Sequence, residues 1–180
     1  MKKKIFLVGI PSCGKSTLGE QSAVQLQLPF YDTDEMAKAN VGEIRPTDIF
    51  SIRFMSLFHE EQQKAVTELC EMENAAIVGT GAEIGLIPSC VEQMRDVGII
   101  IHVKRDLGLV LEGLKESAIN RTVLVEVDTG IKFDLHEKAA ELYAEELSKY
   151  DAVADITLKN DGSEEEGVKK LIQIIQTILD

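Results

Sequence analysis

The run Gly9-Ile10-Pro11-Ser12-Cys13-Gly14-Lys15-Ser16-Thr17 sets two glycines, a lysine and a hydroxyl at the spacing G-x-x-x-x-G-K-S. Glycine lets a chain turn tightly enough for several backbone N–H groups to converge on phosphate oxygens. In such a cradle Lys15 would reach the β- and γ-phosphates of a nucleotide and Ser16 would offer its hydroxyl to Mg2+, with Ser12, Cys13, Gly14 and Thr17 lining the phosphates. A second pair, Asp32 and Asp34, could divide two tasks: one carboxylate orients Mg2+, the other holds an attacking hydroxyl or takes its proton. The same pair would also serve simply to cap a following helix. Cys13 is open to two readings, a reactive thiol near a helix N-terminus or a small residue filling a compact loop.

Positioning these groups takes strands with loops at one end. Continuous apolar runs predict strands at 5–8, 29–31, 75–78, 97–103 and 152–158, as expected for a parallel sheet covered on both faces. Helical patterns alternate with them, over about 55–73, 134–150 and the C-terminal stretch. There Val168, Leu171, Ile172, Ile175, Ile178 and Leu179 share one face after the turn Asp161-Gly162-Ser163. The expectation is α/β: a three-layer sandwich on a five-stranded parallel sheet, with ligands at the carboxyl ends of the strands. Gly9, Asp32 and Gly79 all fall at such ends.

A length of 180 residues suits one domain spanning 1–180, and the mixed region at 112–134 is read as a lid over the nucleotide or as an ordinary helix connection. The net charge of −12 argues against nucleic acid as a partner. No apolar run reaches the roughly 18 residues that span a bilayer, and a chain without a secretory leader is the expectation. Cys13, Cys70 and Cys90 lack metal or disulfide spacing. A cytoplasmic protein acting on a small molecule is the expectation.

Gly9 to Thr17, Leu28-Pro29-Phe30-Tyr31-Asp32-Thr33-Asp34, Ile49-Phe50, Phe58, Gly79-Thr80-Gly81, Arg121 and Tyr150 with Ala154-Asp155 together resemble the shikimate kinase family, a branch of the P-loop nucleoside-monophosphate-kinase-like fold. The resemblance covers nearly the whole chain and is most specific in its N-terminal third. It implies a monomer that uses ATP and Mg2+ to phosphorylate a hydroxyl of a small cyclic metabolite, shikimate to shikimate 3-phosphate. In that reading Lys15 and Arg121 stabilise charge on the moving phosphoryl group, Ser16 binds Mg2+ with Asp32 behind it, and Asp34 holds the acceptor hydroxyl. His59, Gly79, Thr80 and Gly81 would face the acceptor.

The chain departs from the family on the acceptor side. His59 stands where the family has a carboxylate-binding arginine, Thr80 replaces a glycine, and Glu146 replaces a second arginine four residues before Tyr150. Arginine pairs grip a carboxylate by bidentate, charge-assisted hydrogen bonds. Arg45, Arg53 and Lys149 are candidate replacements, and a neutral or cationic polyol would suit Glu146 better than an acid. A nucleotide-binding protein without turnover is the alternative of another class. Lys115 and the stretch Lys159-Asn160-Asp161 are candidate adenine contacts or plain surface turns.

Overall fold

The computed structural model describes residues 4–42, 52–110, 112 and 135–179. Arg45, Lys115, Arg121 and nearly all of the expected lid at 112–134 lie outside the described residues, as does the side chain of Arg53. Strand β1 (Lys4–Val8) leads through the phosphate loop into α1 (Lys15–Leu26), followed by β2 (Phe30–Asp32), α2 (Thr33–Val41) and α3 (Ile52–Glu71). Next come β3 (Ala76–Gly79), a short 3-10 turn (Ile84–Leu86), α4 (Pro88–Val97) and β4 (Gly98–Lys104). The chain closes with α5 (Leu135–Val153), β5 (Ile156–Lys159) and α6 (Glu164–Leu179).

The five strands form one parallel sheet in the order β2-β3-β1-β4-β5. β1 lies at its centre with every residue buried, because helices cover both faces. On one side α1 packs with α6 and against β1, β2 and β3; on the other α4 packs on β1 and β4 with α3 against it. Phe6, Leu7, Val8, Ile77, Val78, Ile100 and Ile101 form the sheet's share of the core, and Val168, Leu171 and Ile175 carry the buried stripe of α6. Lys4 is buried as well; its ammonium donates to the carbonyls of Met72 and Asn74, which keeps the charge solvated by protein dipoles.

The expected strand at 152–158 is shorter than its apolar run. Ala152 and Val153 finish α5, and the Ala154 N–H still donates to the Tyr150 carbonyl at 3.0 Å. Pairing with β4 begins only at Asp155, whose N–H donates to the Ile100 carbonyl (2.9 Å) while its carboxylate accepts from the Ile100 N–H (2.8 Å). A short apolar run does not by itself distinguish helix from strand, and here the helix claims its first residues. The other strand bounds shift by a residue or so, which places Asp32 and Gly79 as the last residues of β2 and β3.

Close approach of backbones makes a test of this packing. A Cβ at Gly98 would lie 2.5 Å from the Lys4 carbonyl oxygen of the neighbouring strand. Gly98→Ala should therefore cost about 1–3 kcal/mol, the range for forced overpacking, read as a lower urea midpoint with an unchanged slope.

Candidate active site

The phosphate loop folds back on the sheet because Gly9 and Gly14 adopt φ of +147° and +102°. A Cβ at Gly9 would meet the Val103 carbonyl oxygen at 2.7 Å and the Cys13 sulfur at 2.9 Å. Cys13 is fully buried against Gly9. The Lys15 ammonium lies across the loop, donating to the carbonyl oxygens of Gly9 (2.7 Å) and Ile10 (3.0 Å), with the Cys13 sulfur 3.9 Å away. The first N–H groups of α1 have no partner within the helix, so the loop and the helix start together form an anion-binding mouth. Ser12, Ser16 and Thr17 are exposed at this mouth.

Asp32 closes the other side. Its Oδ1 accepts from the N–H groups of Asp34 (2.9 Å) and Glu35 (3.4 Å), capping α2, and its Oδ2 accepts from the Ser16 hydroxyl at 2.8 Å. Capping and site building are thus one arrangement: the helix cap fixes the carboxylate that holds Ser16. A serine hydroxyl backed by a carboxylate is a hard oxygen donor set, which fits Mg2+ bound mainly through phosphates and water. Among the described residues no cluster of three or more His, Cys, Asp or Glu side chains forms a separate metal site.

Asp34 is half-buried at the start of α2 and accepts a hydrogen bond from Nε2 of the buried Gln62 on α3. Burial raises its pKa above the ordinary value, against the Gln62 hydrogen bond, and the negative charge of Asp32 adds to the rise. A Cβ at Gly81 would overlap both Gln62 and Asp34, so glycine here keeps the post-β3 turn close to the carboxylate. The Gly81 N–H donates to the Thr33 hydroxyl at 2.9 Å. Gly79 ends β3 beside Asp32, while the buried Thr80 turns its hydroxyl toward the Leu7 carbonyl (3.1 Å), into the sheet. His59, half-buried on α3, sits 2.8 Å from the Glu83 carboxylate. Burial raises the pKa of Glu146, and the charge of nearby Glu83 raises it further. Lys149 pairs with Glu145 at 3.0 Å, on the exposed side of α5.

Sequence reasoning overlooked His102. It is fully buried on β4 beside the loop, with Nδ1 2.8 Å from an Asp151 oxygen and its ring 5.3 Å from that of Tyr150. Burial lowers its pKa, and the Asp151 carboxylate opposes this only in part, so the imidazole is neutral and donates its Nδ1–H to Asp151. Lys104 holds the other Asp151 oxygen at 2.6 Å. Tyr150 hydrogen-bonds the Ala82 carbonyl, tying α5 to the turn that carries Glu83. The available signal was one polar residue inside the apolar run Ile99-Ile100-Ile101-His102-Val103.

The model of the family described as shikimate kinase matches residues 11–176. The chain belongs to the shikimate kinase family. A shikimate kinase of Legionella pneumophila is 29% identical over 159 residues, covering 88% of this chain and 86% of the relative. One from Francisella tularensis is 27% identical over 177 residues, covering 98% and 94%. Among solved structures, the shikimate kinase of Acinetobacter baumannii, in complex with shikimate, superposes with a TM-score of 0.79 at 24% identity, over 97% of this chain and 93% of that one. The shikimate kinase of Aquifex aeolicus gives 0.76 at 24% identity over 98% of each chain. These superpositions share the P-loop kinase fold, and the sheet and phosphate loop described above are that fold in this shikimate kinase family member. It is a kinase, with a nucleotide as the phosphate donor its family uses.

Asp34 yields a test of the site's electrostatics. A carboxyl whose folded pKa is raised opposes folding when ionised; that cost is absent well below the ordinary 3.8 and complete above the folded value. Asp34→Asn should therefore raise the urea midpoint at pH 7, and the gain should vanish as the pH falls below about 4.

Proposed function

We propose that this protein transfers the γ-phosphoryl group of MgATP to a hydroxyl of a small cyclic polyol, with shikimate, giving shikimate 3-phosphate, as the first acceptor to assign. The observation that carries the reading is the placement of the half-buried Asp34 carboxylate, pKa raised, two residues from the Asp32 that holds Ser16 at 2.8 Å. Lys15 and the loop N–H groups bind the phosphates and draw off negative charge as the bond to the leaving oxygen weakens. Ser16, with Asp32 behind it, would hold Mg2+, which supplies charge neutralisation on the phosphate oxygens. Asp34 orients the acceptor hydroxyl and accepts its proton; Gln62 fixes the carboxylate for that task. Arg121 is assigned to the moving phosphoryl group by family resemblance. A single small-molecule site and a cytoplasmic, monomeric protein complete the proposal.

A second reading shares the donor side and changes the acceptor. His59 is paired with Glu83, and Glu146 lies near the same carboxylate, so the described part of the acceptor side carries acidic groups where a carboxylate ligand needs cations. This favours a neutral or amino-bearing polyol. ADP release from MgATP with and without saturating shikimate decides between the two. Shikimate-stimulated release supports the first reading; release stimulated only by neutral or amino polyols supports the second; no stimulation by either class contradicts both.

Lys15→Ala should lower turnover by at least about 10²-fold, the scale for losing one preorganised charge contact in a reacting site. Asp34→Asn should lower kcat by about 10²–10⁴-fold. Because the Asp34 pKa is raised, the acid limb of kcat/KM should lie at less acidic pH than an ordinary carboxyl near 3.8, and the variant should lose that limb.

A further inference from the structure

We propose that Asn160 is a positioning residue that sets the direction of one phosphate-binding N–H, that of Gly14, by holding the Cys13 carbonyl from behind the loop. The proposal rests on the nucleotide reading of the loop and deepens it. Asn160 directly follows β5, lies 147 residues from Cys13 in sequence, and is buried. Its Nδ2 donates to the Cys13 carbonyl oxygen at 2.9 Å, and its own N–H donates to the Lys104 carbonyl at 2.7 Å, which anchors it to β4. In a trans peptide the carbonyl of one residue and the N–H of the next point in opposite directions. Peptide bonds among the described residues are all trans. Fixing the Cys13 carbonyl toward Asn160 therefore turns the Gly14 N–H away from Asn160, toward the mouth of the loop.

Two glycines make room for this amide. A Cβ at Gly14 would lie 2.6 Å from Asn160 Nδ2, and one at Gly167, inside α6, would lie 2.5 Å from Asn160 Oδ1. Gly14 already needs glycine for its φ of +102°, but Gly167 sits in a helix, where glycine is unfavourable. The Asn160 amide is thus enclosed by α6 on one side and the loop on the other. Asp161 is tied in separately: its carboxylate accepts from the Asp106 N–H at 2.7 Å. The stretch 159–161, which the sequence offers as an adenine contact, contributes at Asn160 a clamp on the phosphate loop.

The test is ADP binding by titration calorimetry at fixed Mg2+, with the urea midpoint measured alongside, for the full chain and for Asn160→Ala and Asn160→Leu. Leucine keeps nearly the same shape without the donor. Both variants should bind ADP about tenfold or more weakly, the scale of one lost hydrogen bond that orients a charged contact. Asn160→Leu should do so with a urea midpoint closer to that of the unsubstituted chain, and keeps the test alive if Asn160→Ala does not fold. In amide NMR, the Gly14 resonance should move on ADP binding in the unsubstituted chain and move less in Asn160→Leu. ADP binding unchanged in Asn160→Leu, whatever its stability, overturns the proposal while leaving the nucleotide site intact. Failure of the unsubstituted chain to bind ADP overturns the nucleotide reading itself, and the clamp with it.

Discussion

The Lys15 ammonium spans its own loop, 2.7 Å from the Gly9 carbonyl and 3.0 Å from that of Ile10, and much of the molecule serves to keep that span in place. Among the described residues its hydrogen bonds run to two neutral carbonyls and a thiol sulfur, so the charge remains available to an anion. The loop around it must be both tight and open at the mouth, which demands positive φ at Gly9 and Gly14 and a rigid floor beneath them. β1 provides that floor by being buried on both faces at the centre of the sheet, and β4 presses the Val103 carbonyl against Gly9 so closely that no side chain fits between.

Charge has to be arranged against a general background of repulsion. A chain of net charge −12 repels polyphosphates at long range, so attraction must come from short-range, fixed groups: Lys15, the N–H groups at the start of α1 that have no partner within the helix, and the cation that Ser16 and Asp32 are proposed to hold. Asp32 is restrained by two backbone N–H groups and the Ser16 hydroxyl, so it adds a carboxylate to the site without a free conformation. Two residues on, burial raises the Asp34 pKa, against the Gln62 hydrogen bond, and the charge of Asp32 adds to the rise. In the proposed reaction the restrained Asp32 would hold a cation and Asp34, with its raised pKa, would handle a proton.

What was legible in the sequence was local. Gly9 to Thr17 reads as a loop between strand and helix because every residue it needs lies within nine positions, and Asp32 and Asp34 follow a strand end that the apolar pattern marks. The strand succession gave the α/β class for the same reason. Long-range pairing was not legible. Nothing near Asn160 points to Cys13, 147 residues earlier; nothing near His102 names Asp151 as its partner; and Glu83 entered beside His59 only when the turn after β3 met α3. Ala152 and Val153 misled because apolar residues at the end of an amphipathic helix look like the start of a buried strand.

The anion mouth at Lys15 and the carboxylate of Asp34 are proposed to serve one phosphoryl transfer. The most direct measurement is phosphorus NMR of the protein incubated with MgATP and shikimate. The γ-phosphate signal is expected to decline while ADP and a new phosphomonoester resonance grow in equal amounts. ADP accompanied only by inorganic phosphate, or an unchanged ATP spectrum despite bound nucleotide, would contradict transfer to this acceptor.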